Sequence, residues 1–267
     1  LPYPDYSPQG MPDFDMKQLN WVDINQNWSH DGPAALANCI WWFDSKFEPN
    51  PVDPRPFYPG PGNPAPNDGF PLVNAFGPWD DHDTNNVQPL IADLANNWLA
   101  TNAGPSGTPP ANLVFGFQSY LANWGLTGRF QDTVVSAPTF EYIKGQVLDC
   151  QDVILHLGFY EDLGSGGPLS FIGNHWVTVA GVCTDAALRQ ICISDPYLDV
   201  LEGEPPAGSV HGGTVHNDAN NISGPHGQIN HDPYQCSSML LPGFTGNVEV
   251  VNYPTTSAML NNFAGMN

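Results

Sequence analysis

The sequence is poorest in basic side chains. Among 267 residues, Lys and Arg together number 6 against 27 Asp and Glu, a formal charge of −21 with the histidines neutral. A field of that sign repels phosphate backbones and anionic lipid headgroups, which excludes nucleic acid and charged membrane surfaces as partners held by charge. It attracts divalent cations and basic peptides. Long apolar runs are also missing: "NCIWWF" is followed by Asp44 and Lys46, and no stretch reaches the length of a membrane span. The five cysteines (Cys39, Cys150, Cys183, Cys192 and Cys236) contain no CxxC pair, which argues against a zinc ribbon or a thioredoxin-like site. No Gly-rich strand-to-helix turn suggests a nucleotide, and the histidines match no HExxH pattern.

What is present falls into a clear order. Residues 1–20 carry Pro2, Pro4, Pro8 and Pro12, which block regular helix and central strand. They read as an extended arm, ordered by contact with its own domain or with a neighbouring subunit. From Gly32 to about Phe47, Pro33 suits a first helical turn, and the positions that follow are apolar nearly all round, predicting a central buried helix. Residues 48–79 form a Pro/Gly-dense insertion. Helical spacing returns in "NNVQPLIADLANNWLATN", "ANLVFGFQSYLANWGL" and "TFEYIKGQVL", and after Cys150 the runs "DVILHLGFY", "HWVTVAGVC" and "ICISDPY" read as strands. Helices first and sheet second predict an α+β fold. Residues 21–267 are expected as a single domain, with the central N-terminal helix packed on an antiparallel sheet formed mainly by the second half and a tail from 199 wrapping it. Cys183 and Cys192 bound a short connection and are candidates for a disulfide across that hairpin.

The chemistry-bearing residues follow the same order. A helix N-terminus lowers the pKa of a thiol placed there, a histidine on a later strand can take its proton, and an Asp or Asn on the next strand orients the ring. In "NWSHDGPAALANCIWWFDSKFEP", "HWVTVAGV" and "ISDPY" those places fall at residue 31, His175 and Asp195. At these residues the chain resembles the papain-like cysteine peptidases of the bacteriocin-leader-processing type (double-glycine peptidase-like). It is more closely similar to secreted prokaryotic relatives whose motif runs Cys-Gly-Pro and then ANCxWWFDS. "GMPDF", "FGPWDDHDTNNV" and "HNDANN" also look like blocks of that group. The resemblance implies a papain-like fold, with His175 as general base, Asp195 as its orienting partner, and Asn25 or Gln26 at the oxyanion-hole position. The nucleophile's place is held by Asp31.

A carboxylate is a far poorer nucleophile toward an amide than a thiolate, and beside a histidine it forms an ion pair. Cys39 lies roughly 12 Å further along the helix at 1.5 Å per residue, too far to substitute. Read without the resemblance, Asp31 is an N-cap, His175 a partly buried strand histidine and Asp195 an Asp-Pro turn starter.

Asp81, Asp83 and Asn85 alternate as in the opening of a calcium loop, with Asn86 in the left-handed conformation usually given to glycine. The closing glutamate is missing, since Ala92 stands there, and Asp93 is the nearest substitute. A cluster of Asx turns before a helix is the alternative. Asn27 and Asn221 begin glycosylation sequons. The start at Leu1, without Met or a signal-type segment, fits a processed, exported protein.

The expectation is an extracellular, catalytically inactive papain-like protein with a structural or binding role, self-associating as a homo-oligomer or filament subunit, requiring no cofactor and with calcium as the candidate ion. The alternatives are a cysteine peptidase carrying an inactivating Cys-to-Asp change at residue 31, and a module that binds peptides without cleaving them.

Overall fold

The structure, a computed structural model, describes residues 11–47, 71–79, 81, 83–104, 106–136, 138–149, 151–161, 170–182 and 190–197, together with short C-terminal strands. A two-residue strand β1 (Asp13–Phe14) precedes the long helix α1 (Asp31–Phe47). A 3₁₀ turn at Thr84–Asn86 leads into α2 (Val87–Asp93), which ends in a π turn at Leu94–Trp98. Helices α3 (Pro110–Asn123) and α4 (Phe140–Leu148) follow. Then come β2 (Ile154–Glu161), β3 (Ser170–Val182) and β4 (Gln190–Ser194). The short strands are β5 (Asn217–Asp218), β6 (Ile222–Ser223), β7 (Gln228–Ile229), β8 (Gln235–Met239) and β9 (Val248–Val251).

The fold is α+β. One five-stranded sheet has the order β2-β3-β4-β8-β9 with antiparallel pairing throughout. Alternation along β3 divides its two faces. Val177, Val179 and Val182, with Ile191 and Ile193 of β4, pack under Phe140, Ile143 and Val147 of α4. A register shift between Val179 and Gly181 adds one residue, which is why Val182 joins Val179 on that face. Thr178, on the other face, donates to the carbonyl of Ala35 in α1 at 3.0 Å, and Asn38 of α1 donates to Thr178 and to Ser194. The sheet is therefore held between α4 and α1. Behind α1 lies the larger core, where Ile40 and Trp41 meet Leu72, Val73, Leu90, Ile91, Leu94 and Tyr120.

The end of the Pro/Gly-rich insertion is tied to α1 by a buried carboxylate. Asp44 Oδ2 accepts from the backbone N–H groups of Leu72 (3.0 Å) and Val73 (2.5 Å), and the Tyr120 hydroxyl donates to the Leu72 carbonyl at 2.6 Å. Residues 48–70 lie outside the described residues.

The described half of the arm packs against α1 and the end of β4. Met11, Phe14 and Met16 are buried, and Phe14 meets Trp41 edge-on at 5.4 Å. Phe14 and Asp13 pair with Asn217 and Asp218, and Met16 N–H donates to the Pro196 carbonyl. Beyond a local turn in which Lys17 N–H donates to Asp15 Oδ1 and Gln18 Nε2 to the Asp15 carbonyl, the arm is fixed here by burial and by strand addition. Residues 1–10 are outside the described residues.

The tail does more than wrap the sheet: β8 and β9 extend it, with β8 pairing on β4. The register also corrects the hairpin expectation for the cysteines. Cys192 stands opposite Gly181 and Ile191 opposite Val182, two positions short of the register that would set Cys192 against residue 183. Cys183 itself, with Cys150, lies outside the described residues. Cys39 is a buried free thiol.

Candidate functional site: a histidine between two carboxylates

The local sequence around residue 31 builds a rigid corner. Ala34 N–H donates to the His30 carbonyl, so the helix starts at the Asp31-Gly32-Pro33 step, where proline lacks a donor that would otherwise be left over. Gly32 is demanded by packing: a Cβ there would stand 2.8 Å from the Thr108 Cβ and 3.3 Å from Trp176 Cδ1. The 101–108 loop that presses on it is closed by its own bonds. Gly107 N–H donates to Asn102 Oδ1, Asn102 Nδ2 donates to Ser29 Oγ, and the Thr101 and Thr108 hydroxyls meet at 2.7 Å. Trp176 Nε1 donates to the Thr108 carbonyl at 2.9 Å, locking strand β3 to the same corner.

Within that corner the structure brings Asp31, His175 and Asp195 together. His175 Nδ1 lies 3.0 Å from Asp31 Oδ2, and His175 Nε2 lies 2.8 Å from Asp195 Oδ1. All three residues are buried. Each carboxylate takes a second donor: Trp176 N–H reaches Asp31 Oδ2 at 2.9 Å, and Tyr197 N–H reaches Asp195 Oδ1 at 2.8 Å. The Asp-Pro turn expected at 195 is thus present, and the same oxygen that closes it holds the histidine. The N-cap expected of Asp31 is replaced by a different role. Asp31 is the first residue of the helix, and its Oδ2 serves the strand and the imidazole.

With a carboxylate at both ring nitrogens, both nitrogens donate and the ring is an imidazolium. Burial pulls the His175 pKa down, but the charge and hydrogen bond of Asp195 and then those of Asp31 outweigh it, raising it to about 10. A ring protonated at neutral pH cannot take a proton from a nucleophile. The positive end of α1 adds to the stabilisation of the Asp31 carboxylate.

Three neighbours were not singled out by sequence reasoning. Trp176 supplies the amide for Asp31, and its ring stacks on His156 at 4.2 Å, a pairing fixed by the β2–β3 register that sets His156 opposite Trp176. His30 stacks on Trp21 at 4.9 Å; burial lowers its pKa to about 4 despite the nearby Asp31, leaving it neutral. Burial also lowers the pKa of His156. Trp176 and His30 each adjoin a predicted site residue, and that adjacency was the available signal. His156 required the register.

Asn25 and Gln26 stand elsewhere. Both are exposed at the tip of a turn in which Asp23 Oδ1 accepts the N–H groups of Asn25 and Asn27 at 2.8 Å each, and Gln26 takes a left-handed φ of 66°. Hydrogen bonds from the Ser106 hydroxyl, then from the Asn27 amide, hold the Asp23 carboxyl down at about 2. Among the described residues, neither Asn25 nor Gln26 has a side-chain hydrogen bond to Asp31, His175 or Asp195. Asn27, the first sequon, is exposed; Asn221 lies outside the described residues.

The acidic segment forms a capping turn. Asp83 Oδ1 accepts both the N–H and the side-chain amide of Asn85 at 2.8 Å, capping the 3₁₀ turn that precedes α2. Asp81 is buried. Asn86 is right-handed, φ −77° and ψ −17°, which corrects the left-handed expectation. Its buried amide accepts from Phe76 N–H and donates to the Asn74 carbonyl, while its backbone begins the helical run into α2. Asp93 accepts from Asn97 and from Trp98 Nε1 within its own turn. Among the described residues no group of three or more His, Cys, Asp or Glu side chains converges as a metal site, and no helix is long and apolar enough to cross a membrane.

No family model matches the chain, and no curated protein or solved structure does.

Proposed function

We propose that the chain is a papain-like protein that has kept the peptidase frame and lost the reaction, and that it acts outside the cell in a structural or binding role through self-association. The observation that carries the reading is Asp31. A helix N-terminus, a strand histidine and an aspartate after the next strand are spaced as a thiol peptidase would need them, yet the first position holds a carboxylate ion-paired to the imidazolium. Nothing there can attack an amide, and the charge pair ties α1 to the sheet. The tyrosines Tyr3 and Tyr6 among the prolines of residues 1–10 support contact with a second copy.

The test has two arms. Asp31→Cys should give a thiol that alkylates at pH 6, where ordinary thiols are protonated, because His175 would hold it as a thiolate. Adding His175→Ala should abolish that reactivity. A variant that alkylates no faster than a free cysteine peptide, while folded, would remove the papain-like reading. Sedimentation of the unaltered chain addresses the second half: concentration-dependent assembly supports the structural role, and a monomer at every concentration removes it.

A further inference from the structure

We propose that Cys192 and Cys236 form a disulfide that staples the C-terminal strands to the strand bearing the site. The β4–β8 register makes Cys192 and Cys236 direct partners, flanked by Ile191 with Ser237 and Ile193 with Gln235. Directly opposed residues of an antiparallel pair have Cα atoms about 4.5–5.5 Å apart, in either hydrogen-bonding type. A disulfide requires roughly 4.4–6.8 Å, so the backbone meets the requirement at either kind of pair. Opposed positions also share a face of the sheet, the second condition for a bond between them. On the other side of β4 the partner of Cys192 is Gly181, which has no sulfur to offer. Cys39 is buried in α1 as a free thiol.

The bond forms when both thiols lose their protons and pass two electrons to a small-molecule disulfide, which is cleaved to two thiols as the new S–S bond closes. The closed loop runs from 192 to 236 and contains all of β5, β6 and β7. It also begins three residues before Asp195, so it restrains the end of β4 that carries the site. The proposal stands on the strand register alone and is independent of the function proposed above.

Tryptic mapping distinguishes the pairings. Cleavage after Lys144 and Arg189 puts Cys150 and Cys183 on 145–189, and Cys192 and Cys236 together on 190–267, which contains no Lys or Arg. The native chain is equilibrated with oxidised glutathione, alkylated in denaturant and digested. Fragment 190–267 should be unalkylated and lighter by two hydrogens than its reduced form. Further cleavage after Glu202 should leave two peptides joined until reduction. Dithiothreitol should lower the melting temperature of the unaltered chain by several degrees and leave Cys236→Ser unmoved. Alkylation of both Cys192 and Cys236 after oxidation, or a link between 145–189 and 190–267, would overturn the proposal.

Discussion

Replacing His175 by Gln removes the imidazolium from a buried site and leaves Asp31 and Asp195, 7% and 5% exposed, facing a neutral side chain. Removing one partner from a buried, hydrogen-bonded ion pair costs about 3–5 kcal/mol, because the remaining charge is stranded. Against a total stability of roughly 5–15 kcal/mol for a domain, that is a large fraction. The loss should appear as a shift of the urea midpoint at unchanged slope. Its pH dependence is the sharper reading. The folded pKa of His175, about 10, stands above the ordinary histidine value of 6.5. The stabilisation is therefore fully present below about pH 6.5, declines as pH rises, and is gone above about pH 10. The gap between the unaltered chain and His175→Gln should be widest near pH 6 and close by pH 10, while titration of tyrosines and lysines affects both chains alike. A gap below 1 kcal/mol at pH 6, or one that stays constant to pH 10, would refute the double ion pair.

Asp44→Ala removes two charge-assisted bonds to the Leu72 and Val73 amides and should cost about 3–4 kcal/mol, measured by urea unfolding; Asp44→Asn, which keeps an acceptor, should cost less. Gly116→Ala places a Cβ 2.5 Å from the Trp98 carbonyl oxygen and 2.7 Å from Leu99 Cδ2, so α3 must move off the π turn, with an expected loss of roughly 1–3 kcal/mol and a melting temperature lower by several degrees. Millimolar chelator should leave the melting temperature unchanged, since Asp83 and Asp93 already accept protein donors; a fall of several degrees would support a calcium role for Asp81, Asp83 and Asn85.

The helices and the three main strands were legible because each carries its own signal: Pro33 at a first turn, apolar spacing through 87–98 and 110–123, β-branched runs after residue 150. The cluster of Asp31, His175 and Asp195 was legible from the order of those elements. What escaped was set by relations between distant segments. The opposition of His156 and Trp176 depends on register, and so does the pairing of Cys192, which stands against Gly181 on β3 and Cys236 on β8. Asn86 was misread because its buried amide bonds to backbone ten and twelve residues upstream, which overrides the preference of asparagine in turns. The β-branched run Val248–Val251 reads as a strand by itself, but no local pattern there or in residues 235–239 announces that the two join a sheet begun at Ile154.

The pairing of Asp13–Phe14 with Asn217–Asp218 spans about three-quarters of the chain. Closing so long a loop must precede any reward from the contact, which places it among the slow, late events of folding. On the ribosome, residues 11–18 emerge roughly two hundred residues before Asn217 and Asp218, the strand they pair with. Until then Met11, Phe14 and Met16, all buried in the finished domain, remain available to solvent, chaperones or another nascent copy. Truncation before residue 217 would leave the arm without its pairing strand, so a shortened chain should expose apolar surface at the opposite end of the sequence from the cut.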